Sequence, residues 1–196
     1  MSLLHRVLIA SVVLLAGAGC VPASSIKPVD SLAELGAGDV LIVGKIELDP
    51  PLAPDEQALR EGYEEYRNAV MLITDDELRD AGDLAYGDLS SRMQVTFGEA
   101  FFVSHEAAPF HILKGWVVMN LEPGGSAPLY GIFRVDVRPD DKAIYIGTIR
   151  YHRDDFFGTE KVVIKDDYAT AQAEFRRKFG DAVKLRKALV TPIIQQ

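Results

Sequence analysis

The stretch Leu129-Tyr-Gly-Ile-Phe-Arg-Val-Asp-Val137 decides the fold. Side chains of an extended chain alternate between two faces, so Leu129, Gly131, Phe133, Val135 and Val137 share one face. Tyr130, Ile132, Arg134 and Asp136 take the other. Such a segment buries one side and wets the other. Pro139-Asp140-Asp141-Lys142 then reads as a turn, and Ala143 to Tyr151 resumes the β pattern, so the two runs are expected to form a hairpin.

The same pattern extends outward in both directions. Asp39 to Leu48 is an apolar, β-branched run that becomes alternating toward its end, with Gly44 as a bend or bulge, and Pro50, Pro51 and Pro54 stop it. Ala69 to Thr74, Met93 to Phe97, Ala100 to Ser104, Ile112 to Leu121 and Glu160 to Lys165 read as further strands. Asp55 is placed to cap a short helix carrying Leu59, Tyr63 and Tyr66. A second helix near 166–179 puts Tyr168, Ala171, Phe175 and Phe179 on one face, with Arg176, Arg177 and Lys178 in its last turn and Gly180 at its end. The tail from Asp181 reads as an edge strand or a short helix, closed by Pro192. About seven closely spaced strands predict a mainly β chain: an antiparallel β-sandwich with one or two peripheral helices.

The amino-terminal residues are of another kind. His5 and Arg6 precede an apolar run from Val7 to Ala16, and Gly17, Ala18 and Gly19 lead to Cys20, the one cysteine in 196 residues. A positive start, a short apolar run and small residues are the marks of an export signal, and the run is short of the roughly 20 residues that cross a bilayer. Two cuts fit. Ala16-Gly17-Ala18 suits an ordinary signal peptidase, which would leave a soluble chain beginning at Gly19. Small residues directly before a cysteine instead resemble the lipobox of bacterial lipoproteins, from which Gly17 departs by standing where an aliphatic residue is usual. That resemblance implies cleavage before Cys20 and acylation of it. A lone cysteine in an oxidising compartment has no internal partner, which favours the lipid acceptor. Val21 and Pro22 follow without an aspartate, which by the same resemblance implies the periplasmic face of the outer membrane.

Three segments are therefore expected: a signal over 1–19, a lipidated cysteine and flexible tether over 20–38, and one β-rich domain over 39–196. Without residues 1–19 the chain loses only Arg6 among its charges, leaving 20 basic against 29 acidic residues and a net charge of −9. That balance disfavours phosphate backbones, so no nucleic-acid partner is expected. "Leu-Glu-Pro-Gly-Gly" over 121–125 and "Ile-Tyr-Ile-Gly-Thr-Ile" over 144–149 resemble bacterial lipoproteins with an immunoglobulin-like or prealbumin-like sandwich. The resemblance implies a fold and no activity.

Residues able to carry chemistry are few. His105 beside Glu106, His111 and His152 lack the spacing of zinc ligands, although a strand turn would let His105 approach His111. Ser90, Ser91, Ser104 and Ser126 lie outside any nucleophile elbow. The acidic run 75–88, with Asp75, Asp76, Glu77, Asp80, Asp83 and Asp88, departs from the EF-hand order and reads as a solvated loop, with calcium binding as its alternative. Asp154, Asp155 and Glu160 give a weaker pattern of the same kind. Tyr130, Tyr145, Tyr151, Phe156 and Phe157 read as core and cross-strand aromatics, or else as a rim for a protein or glycan. The expectation is a lipid-anchored, non-enzymatic binding or assembly module with Cys20 as its modified residue and no catalytic, metal or cofactor site. The alternative is a lipid-anchored periplasmic hydrolase or metal-dependent enzyme using His105, His111 or His152.

Overall fold

The computed structural model describes residues 24–26, 28–58, 66–77, 91–120, 125–155 and 158–194. Cys20 and the expected signal, most of the helix expected after Asp55, most of the acidic run, Ser90, and Phe156 and Phe157 lie outside them.

Two mixed sheets face each other. The first joins β1 (Ser24–Ile26), β4 (Ser91–Thr96), β3 (Ala69–Asp75), β6 (Phe110–Val118), β7 (Ser126–Val135) and β11 (Thr191–Ile194), in that spatial order. The second runs β10 (Leu185–Lys187), β8 (Ala143–Arg153), β2 (Asp39–Asp49), β5 (Ala100–Glu106), with β9 (Thr159–Lys165) also on β8. The expected sandwich with a peripheral helix, α1 (Tyr168–Phe179), is present. Between the sheets Ile42, Leu72, Phe110, Ile112, Phe133 and Ile144 are fully enclosed, which is where the apolar faces of the alternating runs go.

Pairing departs from the sequence reading in two ways. β2 lies parallel to β8, as β1 does to β4 and β10 to β8, so three of the nine ladders among the described residues are not antiparallel. Moreover, β7 and β8 do not form a hairpin. β7 pairs with β6 and β11 in the first sheet, whereas β8 pairs with β2, β9 and β10 in the second. Alternation specifies which face a residue takes, not which strand lies beside it. The connection over 136–142 arches between sheets and is held by Asp141, which accepts the Arg138 N–H at 2.7 Å and the Arg186 Nε–H at 2.6 Å.

The segment expected as a tether is instead packed from Ser24 onward. β1 pairs with β4, the Val29 N–H donates to the Phe102 carbonyl at 2.8 Å, and Val29 is buried. Leu32 and Leu35 pack on the cluster that includes Phe175. Residues 24–29 thus lace the open side between β4 and β5, and the tail through β10 and β11 laces the opposite side between β8 and β7. The tail is edge strand, one of the two forms expected for it.

Near the middle of the β2–β8 ladder, Val43 faces Tyr145 but Lys45 faces Thr148. Ile146 and Gly147 therefore stand against Gly44 alone, a bulge whose extra residue lies in β8. Gly147 has φ 105°, open to glycine and costly for other residues. At Gly44 a Cβ would lie 2.6 Å from Phe101 Cζ, so the close approach of β2 to the core ring requires the missing side chain. The bulge is also where β8 exchanges β10 for β9 as its outer neighbour.

Candidate functional site

The second sheet's outer face changes character at that bulge. Before it, Leu41, Val43, Ala143 and Tyr145 lie under Ala171 and Phe175 of α1. After it, Lys45, Glu47 and Asp49 of β2 stand beside Thr148, Arg150 and His152 of β8. The Glu47 carboxylate is approached by Lys45 at 3.0 Å, by Arg150 at 2.7 Å and by Lys165 at 3.6 Å. Arg150 also reaches Asp49 at 3.9 Å, His152 Nδ1 lies 3.2 Å from the same carboxylate, and Lys165 lies 3.5 Å from Asp167. Three cations are thereby set against three carboxylates. Partial burial pushes the Glu47 carboxyl up, yet the hydrogen bonds from Arg150 and Lys45 and the charges of Lys45 and Lys165 outweigh it, so its pKa falls below the usual range. Apart from His152, the formal charges of the array balance.

At the end of this array the sandwich has a pocket. β5 begins at Ala100, opposite Lys45, while β2 runs on to Asp49, so four residues of β2 extend beyond their neighbour. The β4–β5 turn fills part of the gap, with the Gly98 N–H on the Ile46 carbonyl at 2.9 Å and the Phe97 N–H on the Asn68 carbonyl at 2.8 Å. Behind it is a pocket of about 390 Å³. Leu48, Leu52, Pro51 and Phe97 give it apolar walls, and Glu47, Asp49, Gln57, Asn68 and Arg150 bring polar groups. The volume lies within the range of small-ligand sites, about 300–1,000 Å³. The loop behind the pocket is fixed by Arg153, which donates to the Pro50 and Pro51 carbonyls and, through both terminal nitrogens, to Glu56 at 3.0 and 2.8 Å. The hydrogen bonds from Arg153 hold the Glu56 carboxyl below its ordinary pKa against the opposing effect of burial.

Apart from His152, the residues singled out by sequence fall elsewhere. His105 stacks on Phe110 between the sheets, ring centroids 3.8 Å apart. His111 lies on β6 in register with Asp75 and Arg134, on the opposite face of its strand from Phe110. His152 belongs to the charged array. Ser104 donates to Asp39 at 2.8 Å, and Ser91 and Ser126 open β4 and β7. Asp75 ends β3 and accepts the Glu77 N–H at 2.9 Å. Asp154 accepts the Gly158 N–H at 2.7 Å and so closes its own turn. Tyr145 and Tyr151 are buried, burial raising the pKa of both, whereas Tyr130 is exposed on the other sheet. Among the described residues no group of three His, Cys, Asp or Glu is gathered closely enough to hold a metal ion.

Sequence reasoning missed the array and the pocket. Their signal was the strict alternation Lys45-Ile-Glu-Leu-Asp49 and Thr148-Ile-Arg-Tyr-His152, two strands with a polar or charged residue at every second position. Comparison of the chain with protein-family models, with characterised proteins and with solved structures yields no match.

Proposed function

We propose that the chain is an envelope lipoprotein, anchored through lipid on Cys20 at the periplasmic face of the outer membrane, and that its sandwich is a binding module for a glycan rather than a catalyst. The observation that carries the binding role is the pocket at the end of β2. An apolar wall with a ring, flanked by amide and carboxylate groups, matches a sugar, which has C–H faces and hydroxyl edges. Arg150 already has Glu47 and Asp49 as partners, so an ionic ligand gains no unbalanced charge there. His105 pairs with Val40 at one end of β2 and His152 with Asp49 at the other, and this separation supports the module over a hydrolase that would join them.

Lipid supplies what a weak site lacks. Acyl chains contribute about 0.8 kcal/mol per buried CH₂, and confinement at a surface raises the effective concentration of the site near its target.

The test is an NMR titration of the detergent-extracted protein with cellobiose, diacetylchitobiose and maltose, beside glutamate and inorganic phosphate. Shifts from at least one sugar confined to Leu48, Gln57, Asn68 and Phe97, and absent with the two anions, are expected. Shifts from the anions alone, or none at saturating sugar, would overturn the glycan reading.

A further inference from the structure

Ser24 is fixed, and only residues 21–23 separate it from Cys20. An extended chain spans at most about 3.6 Å per residue, so Cys20 lies within roughly 14 Å of Ser24. Ser24 is in register with Ser91, which faces Thr74. Thr74 faces Ile112, and Ile112 faces Phe133. These residues mark one end of the sandwich, shared with Asp39 and Glu106 of the second sheet. The pocket is at the other end, with Asn68, Phe97 and Leu48. Along β2, Leu48 lies nine residues on from Asp39, about 30 Å at strand rise.

We infer that the anchor holds the sandwich by the end where β1 enters, so that the pocket opens away from the bilayer that carries the protein. This rests on lipidation at Cys20. A chain of three residues cannot fold back along the sandwich far enough to bring the pocket to the anchoring point. Nor does charge draw the body down, because −9 repels an anionic lipid surface within a Debye length, about 8 Å at physiological salt. The pocket therefore serves a glycan lying off the membrane, not a lipid headgroup of the same leaflet. Had residues 20–38 been a free tether, the reach would have been about five times longer and the domain free to turn over.

Acylation blocks the Cys20 thiol, so an introduced cysteine is the one free site for a fluorophore. Glu106→Cys labels the entry end and Asp55→Cys the pocket end, both exposed positions. The labelled lipoproteins are reconstituted into phosphatidylethanolamine–phosphatidylglycerol vesicles that carry an acceptor on the lipid headgroup. The expected result is a larger loss of donor emission at 106 than at 55, and a narrowing of that difference when a long Gly/Ser segment is inserted after Pro22. Equal transfer at both positions, or more at 55, in protein that floats with the vesicles would overturn the orientation alone. Protein that fails to float would remove the anchor itself, and the orientation with it.

Discussion

One outer face, built on the same two strands throughout, is held in two different ways on either side of the Gly44–Gly147 bulge. On the helix side, Leu41, Val43 and Tyr145 are sealed by Phe175 and Ala171, and Phe102 meets Phe179 edge-on at 5.3 Å. The Tyr145 hydroxyl accepts the Asp167 N–H at 3.0 Å and fixes the start of the helix. On the open side, charge is set against charge at half-exposed positions. The difference teaches where this molecule places stability and where it leaves surface for other work. Apolar burial is strong and committed, whereas exposed ion pairs are weak and remain available to a ligand.

The largest effect should come from the sealed half. Phe175→Ala empties the centre of the helix contact and is expected to cost about 3–5 kcal/mol in chemical denaturation, against less than about 1 kcal/mol for Lys165→Ala on the open half. Similar losses for the two would break the distinction.

The arch between the sheets gives the next effect. Asp141 is nearly enclosed and bonded to Arg186, and Asp141→Ala leaves that guanidinium without its carboxylate, an expected loss of about 2–3 kcal/mol. The hydrogen bonds from Arg186 hold the Asp141 pKa below its ordinary value against burial. A carboxyl with a depressed folded pKa contributes its stability above the unfolded value and loses it as pH falls toward the folded one. Stability measured by urea unfolding should therefore decline below about pH 4, more steeply in the native protein than in Asp141→Ala. Parallel pH profiles would contradict the assignment.

The smallest effect belongs to the array. Glu47→Gln is expected to change stability by less than about 1 kcal/mol, yet it leaves Arg150 and Lys165 partly uncompensated beside the pocket. Phosphate, silent in the native titration, should then shift Leu48 and Phe97. A silent variant would mean that the array does not set the pocket's ligand charge.

Much of this was legible in the sequence, and the failures share a cause. Strand positions followed from alternation, and the helix from Tyr168, Ala171, Phe175 and Phe179, because local periodicity encodes a buried face. Gly44 flagged the bulge, although the extra residue lies across the ladder in β8. Partner choice was not legible: the 129–137 run is equally content beside β6 or β8, and the loop that sends β8 to the other sheet depends on Arg186, some 45 residues downstream. The packed segment was hidden by its small residues and prolines, although Val29, Leu32 and Leu35 carry its burial. The pocket was invisible because it arises where one strand outruns its neighbour, a property of pairing and not of either strand.

The most direct test of the anchored module is the intact mass of the protein extracted from membranes, beside a Cys20→Ala control. The account predicts a chain that begins at Cys20 and carries acyl mass, with the control soluble and unmodified. An unmodified soluble chain beginning at Gly19 would contradict it.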